Sequence, residues 1–227
     1  RDYMTGAWQK VEYFYVDETK KTIALPQFYP LDVDAVEYVA THGQHLSSGY
    51  ALNPDFSYKE GQEEDVNKCL TKDIITLMKP PGSGKTIIGS CAILKRGVRS
   101  LILVDQHNLS EQWFDALKLV FKDTIKVSKN ISLDGKNKDL GFDVYVATIQ
   151  GVVAKIRKYG IASVKEWYAK YDIGHVLLDE CHVLIGPEKF SQFGHICNSK
   201  FILALSATPK DNIYFQYWLG TTVEGDK

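Results

Sequence analysis

The chain has 227 residues, 44% of them apolar and 24% charged, with a formal net charge of −1 at pH 7. These values are ordinary for a soluble globular protein of one or two domains, and they give no global basic field that would advertise nucleic acid, although a local basic face is invisible in such a sum. No apolar run reaches the length of a membrane-spanning helix, so no membrane partner is expected. Cys69, Cys91, Cys181 and Cys197 show no C-x-x-C spacing, so free thiols in an intracellular protein are expected rather than a zinc site or a disulfide framework. The N-terminus lacks a signal-peptide core and does not begin with Met, as expected of a segment of a longer protein.

In chain order, aromatic and β-branched residues at 11–17 and 22–25 flank the polar turn ETKK and predict a β-hairpin. After Pro26 and Pro30, residues 31–41 carry apolar side chains at helical spacing and end at His42-Gly43, a plausible C-cap. Residues 47–57 read as a loop, and a boundary near residue 50 separates a small accessory region, 1–50, from the rest of the chain. From Gln62 the pattern changes. A helix is expected over 62–72, then apolar runs at 74–78, 101–104, 124–127, 144–148, 176–178 and 201–205. Helical segments at 86–96, 109–121, 151–159 and 188–197 lie between them. Strands alternating with helices predict an α/β fold, a parallel sheet with helices on both faces. Unbroken apolar runs suit strands buried on both sides, and ligands in such sheets bind at the carboxyl ends of the strands.

Three constellations fall at those ends. The first is the stretch from Ile74 to Thr86, IITLMKPPGSGKT. An apolar strand runs into a glycine turn and a helix start, the arrangement that closes backbone N–H groups around phosphates. Gly82, Ser83, Gly84, Lys85 and Thr86 form the cradle, with Lys85 reaching the outer phosphates and the Thr86 hydroxyl available to Mg²⁺. The full phosphate-loop pattern has glycine five residues before Gly84, where this chain has Lys79. The second is HVLLDECH, residues 175–182. It delivers Asp179 to a Mg²⁺ shell and Glu180 to the attacking water. The third is ILALSATP, in which Ser206 and Thr208 follow a buried strand and can hydrogen-bond His182 to report phosphate state. Lys85 and the Asp179/Glu180 tip are expected to converge on one triphosphate from neighbouring strands.

Together these stretches resemble the motor core of superfamily 2 helicases and translocases. Gly82–Thr86 looks like motif I, Asp179-Glu180-Cys181-His182 like a DExH motif II, and Ser206-Ala207-Thr208 like motif III. SYKEGQEE, residues 57–64, is similar to the family's RPYQxEA stretch without its Arg and Pro, which makes Gln62 the implied adenine reader. LILVDQHNLSEQW (101–113) is similar to motif Ia, and YVATIQ (145–150) to the next nucleic-acid motif, with Thr148 facing the backbone. SATP followed by YFQYWLGTTV is similar to the XPB-type branch. The resemblance implies a RecA-like domain over 51–220, ATP and Mg²⁺ as cofactors, and DNA or RNA as partner, DNA favoured. It also implies a second RecA-like domain that completes the ATP site. Only nineteen residues follow Thr208, so residues 221–227 are expected to begin the linker to that domain.

On the nucleic-acid side, Gln106, His107, Asn108, Ser110 and Gln150 are candidates for backbone contact. The lysines at 118, 122, 126 and 129 read as a solvated face, Lys155, Arg157 and Lys158 as open to either role, and Trp113 as a core anchor. His45, His175 and His195 read as structural. PPGSGKT also resembles the loop of AAA+ ring ATPases, but that class predicts a lone polar sensor after the 201–205 strand and no His182. A non-enzymatic nucleotide scaffold of the same fold is the third possibility.

Overall fold

A computed structural model describes residues 15–18, 22–24, 40–46, 50–122, 124–136, 138–184, 190–208, 219 and 222–224. Near the N-terminus, β1 (Tyr15–Asp17) and β2 (Thr22–Ala24) pair antiparallel, as the hairpin pattern predicts. The helix expected over 31–41 falls almost wholly outside the described residues; at its end Thr41 instead bridges to Ser199 in extended backbone.

The remaining strands are β3 (Ile74–Met78), β4 (Ser100–Val104), β5 (Val127–Ser128), β6 (Val144–Thr148), β7 (His175–Leu178), β8 (Phe201–Ser206) and β9 (Thr222–Glu224). They form one sheet in the order β5-β6-β4-β7-β8-β3-β9, and every pairing in it is parallel. Helices α1 (Gln62–Lys68), α2 (Lys85–Arg96) and α3 (His107–Phe121) cover one face. Helices α4 (Ile149–Tyr159), α5 (Ile161–Tyr171) and α7 (Phe190–Ile196) cover the other, and the short α6 (Cys181–Leu184) follows β7. Alternate residues of one strand serve both cores: Leu101 and Leu103 pack with Tyr145, Val176 and Tyr168, while Ile102 and Val104 pack with Ile88, Trp113 and Leu117. The fold is therefore the doubly covered parallel sheet that unbroken apolar strands require.

Differences from the sequence reading are local. The strand expected at 124–127 reduces to the two residues of β5 at the sheet edge. The helix expected to reach Lys72 stops at Lys68. Helix α5 was not expected, although Ile161, Val164, Tyr168 and Tyr171 recur at helical spacing and three of them are fully buried. β9 adds a strand beside β3 within the 221–227 stretch.

Residues 40–46 lie across the N-terminal ends of three strands. Thr41 N donates to Asn198 O and Lys200 N to Thr41 O; Gln44 N donates to Asp172 O, Arg99 N to Gln44 O, and Leu46 N to Gly97 O. Each such bond contributes about 0.5–1.5 kcal/mol net. The approach needs glycine on both sides. A Cβ on Gly174 would lie 1.8 Å from His42 O, and Gly43, at φ 78°, has Gly174 N 2.1 Å from its Cβ position. Gly174→Ala should therefore destabilise the fold by about 2–3 kcal/mol in urea unfolding, the range for a forced backbone shift in a packed site. A change below about 0.5 kcal/mol, typical of an uncrowded surface position, would show that the segment is not seated there.

Candidate active site

The strand-to-helix turn after β3 has the backbone a phosphate cradle needs. Gly82 and Gly84 take left-handed conformations, φ 77° and 83°, which glycine adopts at no steric cost. A Cβ on Gly82 would meet nothing within 4 Å, so the loop is open there. A Cβ on Gly84 would lie 2.4 Å from the Gln62 side-chain nitrogen, so Gln62 rests directly on the loop. The Gln62 Oε1 accepts from Lys59 N at 2.9 Å. Gly84 caps α2 without a side chain, and the first turn of α2 holds no acidic residue, which leaves its N-terminal dipole unopposed. Ser83 turns its hydroxyl onto Pro80 O at 2.7 Å, and Thr86 lies half-buried in the first turn.

Lys85 is buried, and its ammonium donates to the carbonyls of Lys79 at 3.2 Å and Pro80 at 3.4 Å. It also pairs with Glu180 Oε1 at 3.4 Å. Glu180 is in the left-handed region, φ 47°. Among the described residues the other two non-glycine positions there, Lys122 and Asp172, are helix C-caps, whereas Glu180 turns the chain from β7 into α6. That strained turn brings its carboxylate over the loop. Glu180 Oε2 is buried, faces His182 Nδ1 at 3.3 Å, and makes no hydrogen bond among the described residues. His182 Nδ1 lies 2.9 Å from Ser206 Oγ, which accepts from Thr208 N at 3.1 Å. One polar chain thus runs from Lys85 through Glu180, His182 and Ser206 to Thr208.

Asp179 is buried, and the Trp113 indole N–H donates to its Oδ2 at 2.8 Å. Burial raises its carboxyl pKa above the usual range, while the indole bond opposes that shift. The same indole packs on α2: a Cβ on Gly89 would come within 2.6 Å of its Cη2. Trp113 is the core anchor that the sequence suggests, and its donor role was not foreseen. Lys85 and the Asp179/Glu180 tip meet, but not from neighbouring strands, because β8 lies between β3 and β7. That insertion is what places Ser206 between them.

The nucleic-acid candidates lie further along the same rim. Gln106, His107 and Asn108 are exposed at the start of α3, after β4, and Gln150 is exposed in the first turn of α4, after β6. Val104 and Thr148 are register partners in these adjacent strands, and Gln150 Nε2 donates to Asp105 Oδ1 at 2.5 Å. Two candidates turn away from the rim. The Thr148 hydroxyl accepts from Gly151 N at 3.2 Å and caps α4, and Ser110 is buried on α3. Lys129 pairs with Glu111 at 2.7 Å and Lys122 with Asp55 at 3.9 Å, in keeping with a solvated face. His175 is fully buried beside Ser100, and burial pushes its pKa down to about 3. The four cysteines are free, and no helix among the described residues is long and apolar enough to cross a membrane.

A phosphate loop, an acidic tip and a hydroxyl motif at the carboxyl ends of a parallel sheet define a RecA-like P-loop domain. Residues 55–211 match the family described as Type III restriction enzyme, res subunit, and the chain belongs to that family; it is an N-terminal RecA-like domain of the superfamily 2 helicase kind. A protein of African swine fever virus named as an ATP-dependent RNA helicase is 31% identical over 160 residues, 70% of this chain and 30% of that protein. The DNA 3'-5' helicase XPB of Kineococcus radiotolerans is 30% identical over 139 residues, 61% of this chain and 23% of the relative. The chain thus spans about a third or less of the length of these relatives. Among solved structures, the UvsW helicase from bacteriophage T4 shares the fold with a TM-score of 0.59 and 22% identity, over 79% of this chain and 63% of that one.

The buried Asp179 gives a pH-dependent expectation in metal- and nucleotide-free buffer. Its folded pKa lies above the unfolded value, so the native state holds this proton more tightly. The associated stability is present below the ordinary carboxylate range and is lost as pH rises through the raised value. Asp179→Asn, which can still accept the indole bond, should be more stable than the native chain at neutral pH. The gap should close below about pH 4. Urea unfolding across pH checks this, and a pH-independent difference would contradict the desolvated carboxylate.

Proposed function

We propose that this chain is the first motor domain of an ATP-dependent nucleic-acid translocase or helicase. Residues ahead of the 40–46 stretch serve as an accessory region, the covered sheet that this stretch and β9 complete serves as the motor, and the chain leads on towards a second RecA-like domain. The observation that carries this reading is the polar chain from Lys85 to Thr208, with no step longer than 3.4 Å. It joins the phosphate-binding lysine to the strand that separates the two halves of the site.

The residues present fit a nucleoside triphosphate with Mg²⁺. The Lys85 ammonium is satisfied by two carbonyls and one carboxylate, partners that phosphate oxygens can replace. Among the described residues no group of three or more His, Cys, Asp and Glu side chains could hold a metal. Thr86 and Asp179 would hold Mg²⁺ in company with phosphate oxygens, and Mg²⁺ would supply charge neutralisation there. Gln62 reads the adenine edge. Glu180, whose Oε2 is free of hydrogen bonds among the described residues, orients the attacking water and takes its proton. His182 and Ser206 pass the change in charge at Glu180 to β8 and Thr208. The exposed Gln106, His107, Asn108 and Gln150, at the starts of α3 and α4, hold a strand by its phosphates, so binding is largely sequence-blind. Thr148 supports that edge by shaping α4. An arginine supplied by the second domain is worth about 10³–10⁵ in rate, so this domain alone hydrolyses ATP slowly.

DNA is the favoured strand because of the likeness to XPB; the viral relative named as an RNA helicase favours RNA. ATP turnover measured with single- and double-stranded DNA and RNA decides between them. Stimulation by a polynucleotide is expected, and indifference to all of them would leave a nucleotide scaffold. Glu180→Gln should lower turnover by about 10²–10⁴-fold while ATP still binds. Unchanged turnover would remove Glu180 from the chemistry.

A further inference from the structure

Lys79 departs from the phosphate-loop pattern, which has glycine at this position, and the structure gives it three attachments that meet at the loop. Its side chain is buried and pairs with the fully buried Asp65 of α1. Its carbonyl accepts from Lys85 Nζ at 3.2 Å. Its amide donates to Ser206 O at 3.0 Å, the point where β8 begins to turn towards Thr208. Glycine could make the two backbone bonds but not the third attachment.

Asp65 lies one turn beyond Gln62 on the buried face of α1, and Val66 beside it enters the core that includes Ile75, Leu77 and Ile88. Gln62 in turn rests on Gly84, whose missing Cβ makes that approach possible. The loop and α1 are therefore joined at both ends: Asp65 to Lys79 where the loop leaves β3, and Gln62 to Gly84 where it enters α2. An ion pair taken out of water at this depth persists only with close geometry, and losing one partner leaves an uncompensated buried charge. Lys95 on α2 bonds Asn67 of α1 at 3.0 Å and ties the same two helices at their outer ends.

We propose that the Asp65–Lys79 pair is a specificity device. It holds Gln62 in register with the phosphate loop, so that recognition of the base and of the triphosphate occurs in one rigid unit. This rests on the nucleotide reading of the site given above. Asp65 and Lys79 are positioning residues; they act through Gln62 and the loop and touch no nucleotide themselves. Because the pair holds the base reader rather than the phosphates, its loss should reduce discrimination between bases more than it reduces affinity for a triphosphate as such.

The test is binding, by calorimetry on the full chain, of ATP, GTP and inorganic tripolyphosphate, each with Mg²⁺. The variant is the double substitution Asp65→Asn with Lys79→Met, which removes both charges together and leaves no lone buried ion. Thermal unfolding first confirms that it folds. If the double variant does not fold, Lys79→Arg, which keeps the charge but changes the reach, is measured in the same way. The expected result is an ATP affinity about tenfold weaker, with the ATP-to-GTP ratio falling towards one, the usual scale for one misplaced hydrogen-bonding group. Tripolyphosphate affinity should stay within about twofold. A folded variant that keeps the native ATP-to-GTP ratio overturns the proposal, and so does an equal loss for ATP and tripolyphosphate, which would make the pair a general support of the loop. If the native chain binds neither ATP nor tripolyphosphate, the nucleotide reading itself fails. Native binding with an unchanged variant overturns the specificity device alone.

Discussion

The Lys85 ammonium sits where three strands end, and its partners explain much of what surrounds it. A buried cation must be matched by acceptors with good geometry, or its desolvation outweighs what it contributes. Here the acceptors are two carbonyls of the loop and one carboxylate from the far side of β8. Glu180 can supply that carboxylate only because its backbone takes a conformation that L-residues rarely adopt. The contact is between groups of the protein itself, but it uses the same cation and the same carboxylate that the proposed reaction requires. A ligand that draws Lys85 away releases Glu180, and Glu180 is the group that faces His182.

The sheet makes this possible by its order rather than by its size. β8 carries Ser206 between the phosphate loop after β3 and the carboxylates after β7, while β4 and β6 extend the same rim in the other direction. The exposed polar residues of α3 and α4 therefore stand on one side of Asp179 and the phosphate loop on the other. Trp113 spans the space between. It is rooted in α3, packed on α2 and bonded to Asp179, so a tilt of α3 reaches the carboxylate without an intermediary. These links are short and buried, so a displacement at one end is transmitted to the other.

Much of this was legible in the residues alone. The apolar runs marked six strands because strands buried on both faces carry no polar alternation, and the three motifs fell at their carboxyl ends. Harder to see was anything set by distance across the fold. Strand order is not written in local pattern, so β8 could not be placed between β3 and β7. Thr148 resembles a motif threonine, yet its hydroxyl is taken by the first turn of α4, whose leading amides have no acceptor within the helix. Trp113 read as a core residue, and its N–H partner lies 66 positions away in the chain. Lys79 broke a pattern, and only the three-dimensional neighbour Asp65 gave the break a meaning.

The stretch 40–46 bears on how this unit can be isolated. Its backbone closes the lower ends of β4, β7 and β8, at the end of the sheet opposite the rim where the motifs gather. A fragment begun at residue 51, where composition suggests a border, would leave the carbonyls of Gly97, Asp172 and Asn198 facing water and the groove beside Gly174 empty. The excised piece would keep every motif residue yet lose the stitching beneath them. The natural cut for a self-standing unit of this fold therefore lies ahead of Ala40, inside what looks by sequence like a separate appendage.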